Sequence, residues 1–323
     1  MPGAASVVSF VVAFIAMRVL LSRFGHVALD RPNERSLHER PIPRTGGIGV
    51  LLAACVALFF GASGLWIPMA IALGLGAVSM ADDLRSLPAW ARLLAHLAAA
   101  GVLVWYFLSP MHPLELALLA LALAWLTNLY NFMDGSDGLA GGMSVIGFGC
   151  YGLAAGMDGD LPLATLCASI AASCAAFLIH NFHPARIFLG DVGSIPLGFL
   201  AGALGLIGWT TDHWPLWFPL LVFAPFIGDA TVTLARRLAR GERIWRAHRE
   251  HYYQRLVRLG AGHRATALAA YALMLVCAIA AFYARDAAVS VQVAAIGAAA
   301  LPLAVAALWI DVRWSRHERQ AAN

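Results

Sequence analysis

Residues 114–142 read LELALLALALAWLTNLYNFMDGSDGLAGG. The first 17 residues are almost entirely apolar, and about 20 such residues cross the hydrocarbon core of a bilayer as a helix. Asparagine, aspartate and glycine follow at once. The stretch therefore predicts a membrane-spanning helix that ends in a polar cluster at one face of the membrane.

The rest of the chain repeats this apolar pattern. It has 323 residues, of which 61% are hydrophobic and 12% charged, and its mean hydropathy is +0.74. These values exclude an ordinary soluble protein, and the loops are too short for a separate soluble catalytic or nucleic-acid-binding domain. We expect one all-α integral membrane domain over residues 1–323, with about eleven spanning helices near 5–23, 46–62, 65–81, 92–108, 114–130, 143–157, 162–180, 194–209, 214–231, 266–284 and 288–309.

Arginine predicts the orientation, because all 22 basic residues other than histidine are arginines. With eleven crossings, 21 of them lie on one side and only Arg285 on the other. Cytoplasmic loops are rich in basic residues, which predicts a retained first helix with a periplasmic N-terminus, a cytoplasmic C-terminus, and cytoplasmic loops at about 24–45, 82–91, 131–142, 181–193 and 232–265. Acids on the other side are expected to be isolated residues of solvated turns: Glu115, Asp158, Asp160, Asp212 and Asp286.

The polar end of the 114–142 stretch carries four regularly spaced side chains. Asn128, Asn131, Asp134 and Asp137 are three residues apart, and on a continuing helix they would share one drifting face. The alternative is a plain helix exit with Asn or Asp caps and glycine turns. That alternative accounts for one or two such residues but not for four.

Further acids lie at predicted cytoplasmic helix ends. Asp82 and Asp83 are adjacent, and two like charges repel unless a cation or proton separates them; the alternative is an N-cap for the next helix. Asp191 stands between Gly190 and Gly193. Alone, this motif is weak evidence, because Asp–Gly sequences form turns in many proteins.

The ninth connection combines nine arginines with a His-x-x-His pair, His248 and His251. The arginines fit an amphipathic segment on anionic lipid, whereas topology does not require the histidines. On a helix, this spacing would place both imidazoles on one face, where they could ligate a metal or bind phosphate. No third nitrogen or sulfur ligand lies nearby in sequence, which disfavours zinc.

The combined residue types indicate phosphoryl-transfer chemistry at the cytoplasmic face. Carboxylates hold Mg²⁺, and arginine and histidine neutralise phosphate oxygens. A membrane enzyme with such a site can bring a water-soluble phosphate compound to a lipid phosphate. The residues alone lead no further.

The sequence resembles the polyprenyl-phosphate N-acetylhexosamine-1-phosphate transferases, which include the phospho-N-acetylmuramoyl-pentapeptide transferase and the enzymes that start O-antigen. The resemblance covers nearly the whole chain. Eleven helices and a cytoplasmic tail resemble the O-antigen branch, and AHREHYYQRL is similar to transferases for 6-deoxy-N-acetylhexosamines. The motifs that carry the resemblance are RPNERSLHERPIPRTGG, MADDLRSLP, NLYNFMDGSDGLAGG, NFHPARIFLGDVGS and PFIGDATVTLARRLARGERIWRAHREHYYQRL.

The resemblance implies transfer of an N-acetylhexosamine 1-phosphate from a UDP-sugar to undecaprenyl phosphate, with release of UMP. The sugar would be N-acetylfucosamine, N-acetylquinovosamine or N-acetylglucosamine, and the pathway O-antigen or another surface polysaccharide. Mg²⁺ would be required, with Mn²⁺ as a candidate substitute. The enzyme would lie in the bacterial inner membrane with its site on the cytoplasmic face. We expect no nucleic-acid partner, and a homodimer is left open.

The same resemblance assigns the site residues. Asp191 matches the metal-binding aspartate, and Asp82 and Asp83 match the catalytic pair. Direct attack by the lipid phosphate is favoured, and a phospho-aspartate intermediate is left open. Substrate-binding residues would be Asn128, Asn131, Asp134, Asp137 and Asn181, with Arg186, Arg249 and Arg255 as phosphate clamps. His248 and His251 would lie in the loop that contacts the diphosphate and the sugar.

Rival functions fit the sequence less well. An ion-coupled transporter needs sites near the bilayer midplane and access from both sides, whereas the acids here cluster at one face. A CDP-alcohol phosphotransferase would carry DGxxAR followed by GxxxDxxxD, which is missing. A structural scaffold does not explain acids at membrane-embedded helix ends. The transporter is the main alternative.

Overall fold

The structure, a computed structural model, describes residues 2–30, 32, 37, 40–85, 87–243 and 248–322. Parts of the predicted loops 24–45, 82–91 and 232–265, with Arg31, Arg35 and Arg246, lie outside these ranges. The described residues form fourteen α-helices: Pro2–Arg23 (α1), Gly46–Ala54 (α2), Val56–Phe59 (α3), Trp66–Arg85 (α4), Ala89–Leu108 (α5), Pro113–Phe132 (α6), Leu139–Met157 (α7), Leu161–Asn181 (α8), Asp191–Thr210 (α9), Trp217–Val222 (α10), Ala224–Ala239 (α11), Tyr252–Leu256 (α12), Gly262–Ala284 (α13) and Val289–Ala322 (α14).

Other regular structure in the described part of the chain is small. A two-stranded antiparallel ribbon pairs Leu29–Asp30 (β1) with Ile42–Pro43 (β2), with Asp30 opposite Ile42. A 3₁₀ turn at Ser63–Leu65 precedes α4, and a π-helical turn at Val257–Ala261 joins α12 to α13. The predicted all-α membrane fold is therefore confirmed.

Nine of the eleven predicted spans recur, within the described residues, as helices long and apolar enough to cross a membrane. The other two runs are broken helices. Residues 46–59 divide at Cys55 into α2 and α3, and residues 217–239 divide at Phe223 into α10 and α11. Pro225 lies in the first turn of α11, where its missing N–H and fixed φ suit a helix start but not a helix interior.

Several helices extend beyond the predicted runs at their polar ends. Asp82 and Asp83 belong to the last turn of α4, α11 continues to Ala239, and α14 continues to Ala322. Hydropathy detects only the apolar part of a helix, so these ends were predicted as loops. The acids of α4 are consequently held on a rigid element.

The bundle is organised around α9, which is almost wholly buried. It packs closely on α6: a Cβ atom on Gly198 would come within 2.5 Å of the Cβ of Tyr130 and 3.0 Å of the carbonyl oxygen of Thr127. Only glycine fits at such an approach. This contact brings the start of α9, with Asp191, beside the end of α6, which carries Asn128 and Asn131.

The broken helix formed by α10 and α11 still connects the two ends of the bundle. At one end, Arg44 before α2 pairs with Asp83 of α4, and Asp229 of α11 binds the start of α12. At the other end, Trp217 of α10 donates to Gln292 of α14, with 3.0 Å between Nε1 and Oε1. We call the end that holds Asp83 and Asp229 the site end, and the other the opposite end.

The prediction that acids of the opposite end are isolated is wrong for Asp158, Asp160 and Asp286, the last of which lies 3.0 Å from Nε of Arg285. Arg285 is buried and pairs with Asp158, with 2.9 Å between Nη2 and Oδ1. His213 lies 2.9 Å from Asp160, Nε2 to Oδ2, and 3.6 Å from Asp158, Nδ1 to Oδ2. The single arginine assigned to this side is thus neutralised by a network that joins three loops distant in sequence.

Candidate active site

Asp191 is the first residue of α9. The positive end of the helix dipole stabilises a carboxylate at this position. Gly190 precedes it with φ of 69°, and a Cβ there would lie 2.5 Å from the carbonyl oxygen of Arg44. The amides of Gly46 and Gly47 donate to the carbonyl oxygens of Phe188 and Leu189, at 3.0 and 2.9 Å. These bonds hold residues 43–47, PRTGG, against the turn formed by Gly190 and Asp191.

Asp83 is held beside that segment at the end of α4. Its Oδ1 lies 3.4 Å from Nη2 of Arg44, and its side chain is 22% exposed. The carboxylates of Asp191, Asp82 and Asp30 also interact electrostatically with it. Asp83 is therefore partly exposed, and it lies near one guanidinium group and several other carboxylates.

Asp82 faces a different set of partners. Its Oδ1 accepts from the amide of Leu87 at 2.6 Å, and its Oδ2 accepts from Nη1 of Arg92 at 3.1 Å. Separate guanidinium groups therefore offset the charges of Asp82 and Asp83. Asp82 is not the N-cap that the sequence offered as an alternative, because Pro88 caps α5; its side chain is 12% exposed against 22% for Asp83, which makes Asp83 the more available carboxylate.

Asp134 joins this cluster from the loop between α6 and α7. Its pKa is raised well above the ordinary range by enclosure in protein and by the carboxylates of Asp191 and Asp30. We call Asp30, Asp82, Asp83, Asp134 and Asp191 the carboxylate cluster. It gathers acids from four separate parts of the chain at the site end.

The cluster fits a magnesium ion shared with a phosphate ligand. Within the described ranges, no three His, Cys, Asp or Glu side chains stand close enough to hold a metal by themselves. Mg²⁺, however, is commonly held by one or two carboxylates together with substrate phosphates and water. Burial and the neighbouring carboxylates oppose ionisation of Asp134, and a bound divalent cation would favour its charged form.

The predicted face of Asn128, Asn131, Asp134 and Asp137 is interrupted where α6 ends. The helix stops at Phe132, so the predicted continuous helical face is wrong beyond Asn131. Asn128 and Asn131 lie on α6 and are half-buried. Asn128 donates from Nδ2 to the carbonyl oxygen of Ala124 at 2.7 Å, and its side chain also forms a hydrogen bond with His96. Asp134 lies in the following turn, which lets its side chain reach the carboxylate cluster.

Asp137 serves a different group of residues. Its buried carboxylate binds Nδ1 of His183 at 2.7 Å and accepts from the amide of Ala185 at 3.1 Å. His183 stacks on His263, with ring centroids 5.2 Å apart. Asn181, also buried, accepts from the amide of Gly138 and donates to the carbonyl oxygen of Ile187. Asp137 and Asn181 thus order the loops beside the cluster.

Asp229 fixes the His-x-x-His segment. Its carboxylate accepts from the amides of Tyr252 and Tyr253, at 2.8 and 3.0 Å, and lies 3.3 Å from Nδ1 of His251. The Tyr253 hydroxyl donates to the carbonyl oxygen of Phe132 at 3.1 Å, two residues before Asp134. The segment is therefore tied to the same turn that carries Asp134.

The predicted helical face for His248 and His251 is wrong, because α12 begins only at Tyr252. The two imidazoles are nevertheless neighbours, with ring centroids 4.9 Å apart. Burial and the adjacent His251 lower the pKa of His248 to about 4. His248 is accordingly neutral at physiological pH.

Two of the three predicted arginine clamps have other side-chain partners. Arg186 donates from Nη2 to Nδ1 of His180 at 2.7 Å, and Arg255 donates from Nη1 to Oδ1 of Asp311 at 3.0 Å. For Arg249, the backbone carbonyl oxygen accepts from Nη1 of Arg258 at 3.4 Å, and the clamp role of its side chain stays a prediction. Arg44 and Arg92, which were not predicted as clamps, do pair with cluster carboxylates.

An apolar cavity of about 370 Å³ adjoins the His-x-x-His segment. It lies among α11, α13 and α14, and Met133, Asp229 and Tyr253 line it near the site end. The rest of its lining is mainly aliphatic and aromatic. A hydrocarbon chain would fit this environment beside a polar site.

Sequence reasoning missed several residues of this arrangement. Arg44, Asp229 and Tyr253 lie within quoted motifs, whereas Asp30 directly precedes one and Arg92 follows another by four residues. Their position in or close to those motifs was the available signal. Their partners are far away in sequence, so the pairing itself could not be read from spacing.

Known proteins resemble the chain over most of its length. Residues 65–209 match the family model for glycosyl transferase family 4. A probable undecaprenyl-phosphate N-acetylglucosaminyl 1-phosphate transferase of Bacillus subtilis is 29% identical, over 87% of this chain and 85% of that protein. A decaprenyl-phosphate N-acetylglucosaminephosphotransferase of Mycobacterium leprae is 30% identical, over 78% and 75%.

A phospho-N-acetylmuramoyl-pentapeptide-transferase of Levilactobacillus brevis is 31% identical over a shorter part, 46% of this chain and 52% of that protein. The family match covers α4 to α9, which supply Asp82, Asp83, Asp134 and Asp191 to the carboxylate cluster. The extended similarity and the family model agree with the resemblance drawn from the motifs. The chain is a member of glycosyl transferase family 4.

Proposed function

We propose that this protein transfers an N-acetylhexosamine 1-phosphate from a UDP-sugar to undecaprenyl phosphate and releases UMP. The convergence of five carboxylates at one end of a membrane-embedded bundle carries the proposal. The names of the relatives support a polyprenyl-phosphate acceptor and a sugar-phosphate donor. No feature of the described residues favours the transporter alternative.

The reaction exchanges one phosphoanhydride bond for another. An oxygen of the lipid phosphate attacks the phosphorus that carries the sugar. The bond from that phosphorus to the bridging oxygen breaks, and UMP leaves with the electron pair. The products are undecaprenyl-diphospho-sugar and UMP, so no oxidant or further co-reactant is needed.

Asp191 and Asp134 would hold Mg²⁺ at the donor diphosphate. When bound, the ion supplies charge neutralisation for the departing UMP. Asp83 would orient the lipid phosphate or take its proton, because it is the more available carboxylate of the pair. Asp82 would keep the end of α4 in place. A phospho-aspartate at Asp83 or Asp82 remains the alternative route.

The apolar cavity among α11, α13 and α14 is our candidate for the isoprenoid chain of the acceptor. It would place the lipid in the membrane while its phosphate reaches the site end. The arginine distribution supports a cytoplasmic orientation of that end and, with the bacterial relatives, residence in the inner membrane. A soluble nucleotide sugar would then enter from the cytoplasm.

The sugar is assigned only by class. Two relatives are named for N-acetylglucosamine, which makes UDP-N-acetylglucosamine the first donor to test. The AHREHYYQRL segment favours 6-deoxy sugars instead. These sugars differ by one hydroxyl or its orientation, and discrimination at that level depends on the placement of single hydrogen bonds.

The test is a product analysis with the purified full-length protein in detergent. It would be incubated with undecaprenyl phosphate, Mg²⁺ and each of UDP-N-acetylglucosamine, UDP-N-acetylfucosamine and UDP-N-acetylquinovosamine. We expect equimolar UMP and lipid diphosphate sugar by mass spectrometry, with one donor preferred. Donor binding without either product, or sugar flux into proteoliposomes without UMP, would refute the proposal.

A further inference from the structure

The last helix, α14, is longer than a membrane crossing requires. Its 34 residues correspond to about 51 Å, whereas a bilayer core is about 30 Å thick. Asp311 comes about 33 Å after the start of the helix at Val289. The carboxylate therefore emerges near the membrane boundary, at the site end.

Asp311 binds three side chains from two other elements. Arg236 of α11 donates from Nη1 to both carboxylate oxygens, at 2.9 and 2.8 Å. Arg255 of α12 donates to Oδ1 at 3.0 Å, and the Tyr252 hydroxyl donates to Oδ2 at 3.1 Å. One carboxylate on α14 thus joins α11 to α12.

An aromatic contact on the next turn reinforces this junction. The guanidinium groups of Arg255 and Arg258 lie 5.6 and 4.6 Å from the ring centroid of Trp314, within the range of cation–π attraction. Both arginines belong to the segment that follows His251. Three residues of that segment are therefore bound to α14: Tyr252, Arg255 and Arg258.

The junction leads directly to the candidate active site. Tyr252 and Tyr253, at the start of α12, donate their amides to Asp229, which also lies beside His251. The Tyr253 hydroxyl reaches the carbonyl oxygen of Phe132, beside the turn of Asp134. A displacement of α12 would therefore move the histidines relative to the carboxylate cluster.

We propose that Asp311 is a positioning residue of the transferase site, and that α14 sets the placement of His248 and His251 through α12. The inference rests on the proposed function. Asp311 touches no reacting group in this scheme; it acts through Tyr252 and Arg255. The alternative is that α14 is a membrane anchor whose ion pairs only add stability.

The first experiment compares Asp311→Asn, Asp311→Glu and Asp286→Asn in the full-length protein. Asn keeps the shape of the side chain but loses the charge shared with Arg236 and Arg255, whereas Glu keeps the charge. Asp286, exposed at the opposite end, is the matched control. We expect Asp311→Asn to lower kcat/KM for the UDP-sugar at least tenfold, Asp311→Glu to recover most of it, and Asp286→Asn to match the wild type.

A double-mutant cycle separates positioning from general stability. If Asp311 acts through the His-x-x-His segment, Asp311→Asn should lower kcat/KM for the UDP-sugar less than twofold in a protein that already carries His251→Ala. Hydrogen exchange should increase at residues 248–256 and stay unchanged at the opposite end. Additive losses, or wild-type kinetics for Asp311→Asn, would overturn the inference.

A milder variant covers the case in which Asp311→Asn does not fold. Tyr252→Phe removes only the hydroxyl that donates to Asp311, and it should raise the KM for the UDP-sugar severalfold while the KM for the lipid phosphate stays within twofold. Unchanged donor KM would contradict the inference. A wild-type protein that releases no UMP would instead refute the proposed function, so the two failures are distinguishable.

Discussion

Arg44 and Asp83 form an ion pair across two motifs that are separate in sequence, with 3.4 Å between Nη2 and Oδ1. Its neighbour Asp82 is bound to Leu87 and Arg92 instead. The two adjacent carboxylates are therefore not equivalent. Asp83 is the more accessible of the two, and its partner Arg44 adjoins Gly190 at the start of α9.

This difference predicts opposite phenotypes for two matched variants. Asp83→Asn should lower kcat by about 10²–10⁴ and leave the unfolding temperature near that of the wild type. Asp82→Asn should lower the free energy of unfolding by about 1–3 kcal/mol, because it weakens two hydrogen bonds to a charged acceptor. UMP release and thermal unfolding in detergent measure the two effects. Equal kinetic losses with equal stability would contradict the assignment.

His248 gives a prediction for pH. Its pKa is about 4 in the folded protein, against an ordinary value of 6.5, so the unfolded chain binds the proton more readily. The free energy of unfolding should therefore decrease as the pH falls from about 7 to about 4, with no further contribution below that range. His248→Gln should show a shallower decrease.

Thermal unfolding at several pH values tests this point. The ten tryptophans allow unfolding to be followed by intrinsic fluorescence, without a reagent whose reactivity depends on pH. The wild type should lose more stability than His248→Gln between pH 7 and pH 4.5. Parallel curves for the two proteins would show that His248 titrates normally.

The network at the opposite end predicts a stability effect without a kinetic one. Asp158→Asn removes a charge partner of buried Arg285. Breaking a fully buried pair costs about 3–5 kcal/mol, and the partial exposure of Asp158 should reduce that cost. We expect a lower unfolding temperature and an unchanged kcat at 20 °C. A large loss of kcat in a fully folded variant would show that this network communicates with the site.

Much of the fold could be predicted because a helix that crosses the bilayer must be apolar over about 20 residues, and hydropathy detects such runs. Runs such as 114–130 and 194–209 recur as α6 and α9. The breaks at Cys55 and Phe223 were not predicted, since an apolar run looks the same whether or not its helix is continuous. The extension of α14 past the membrane was missed for the converse reason, since its last turns are polar.

The site could be predicted in its residues more than in its contacts. Asp83, Asp134 and Asp191 belong to motifs that spacing and composition had marked, and the structure brings them together. Asp137 and Arg255 were marked equally, yet His183 and Asp311 bind them. Such pairings join residues 46 and 56 positions apart, and local periodicity carries no information about them.

Asp191→Asn tests the central claim most directly. Wild-type protein with undecaprenyl phosphate and its UDP-sugar should release UMP only when Mg²⁺ is added. Asp191→Asn should unfold at the wild-type temperature and release no UMP at any Mg²⁺ concentration, because the carboxylate that would hold the ion is gone. A folded Asp191→Asn protein that still releases UMP in a Mg²⁺-dependent manner would contradict the account.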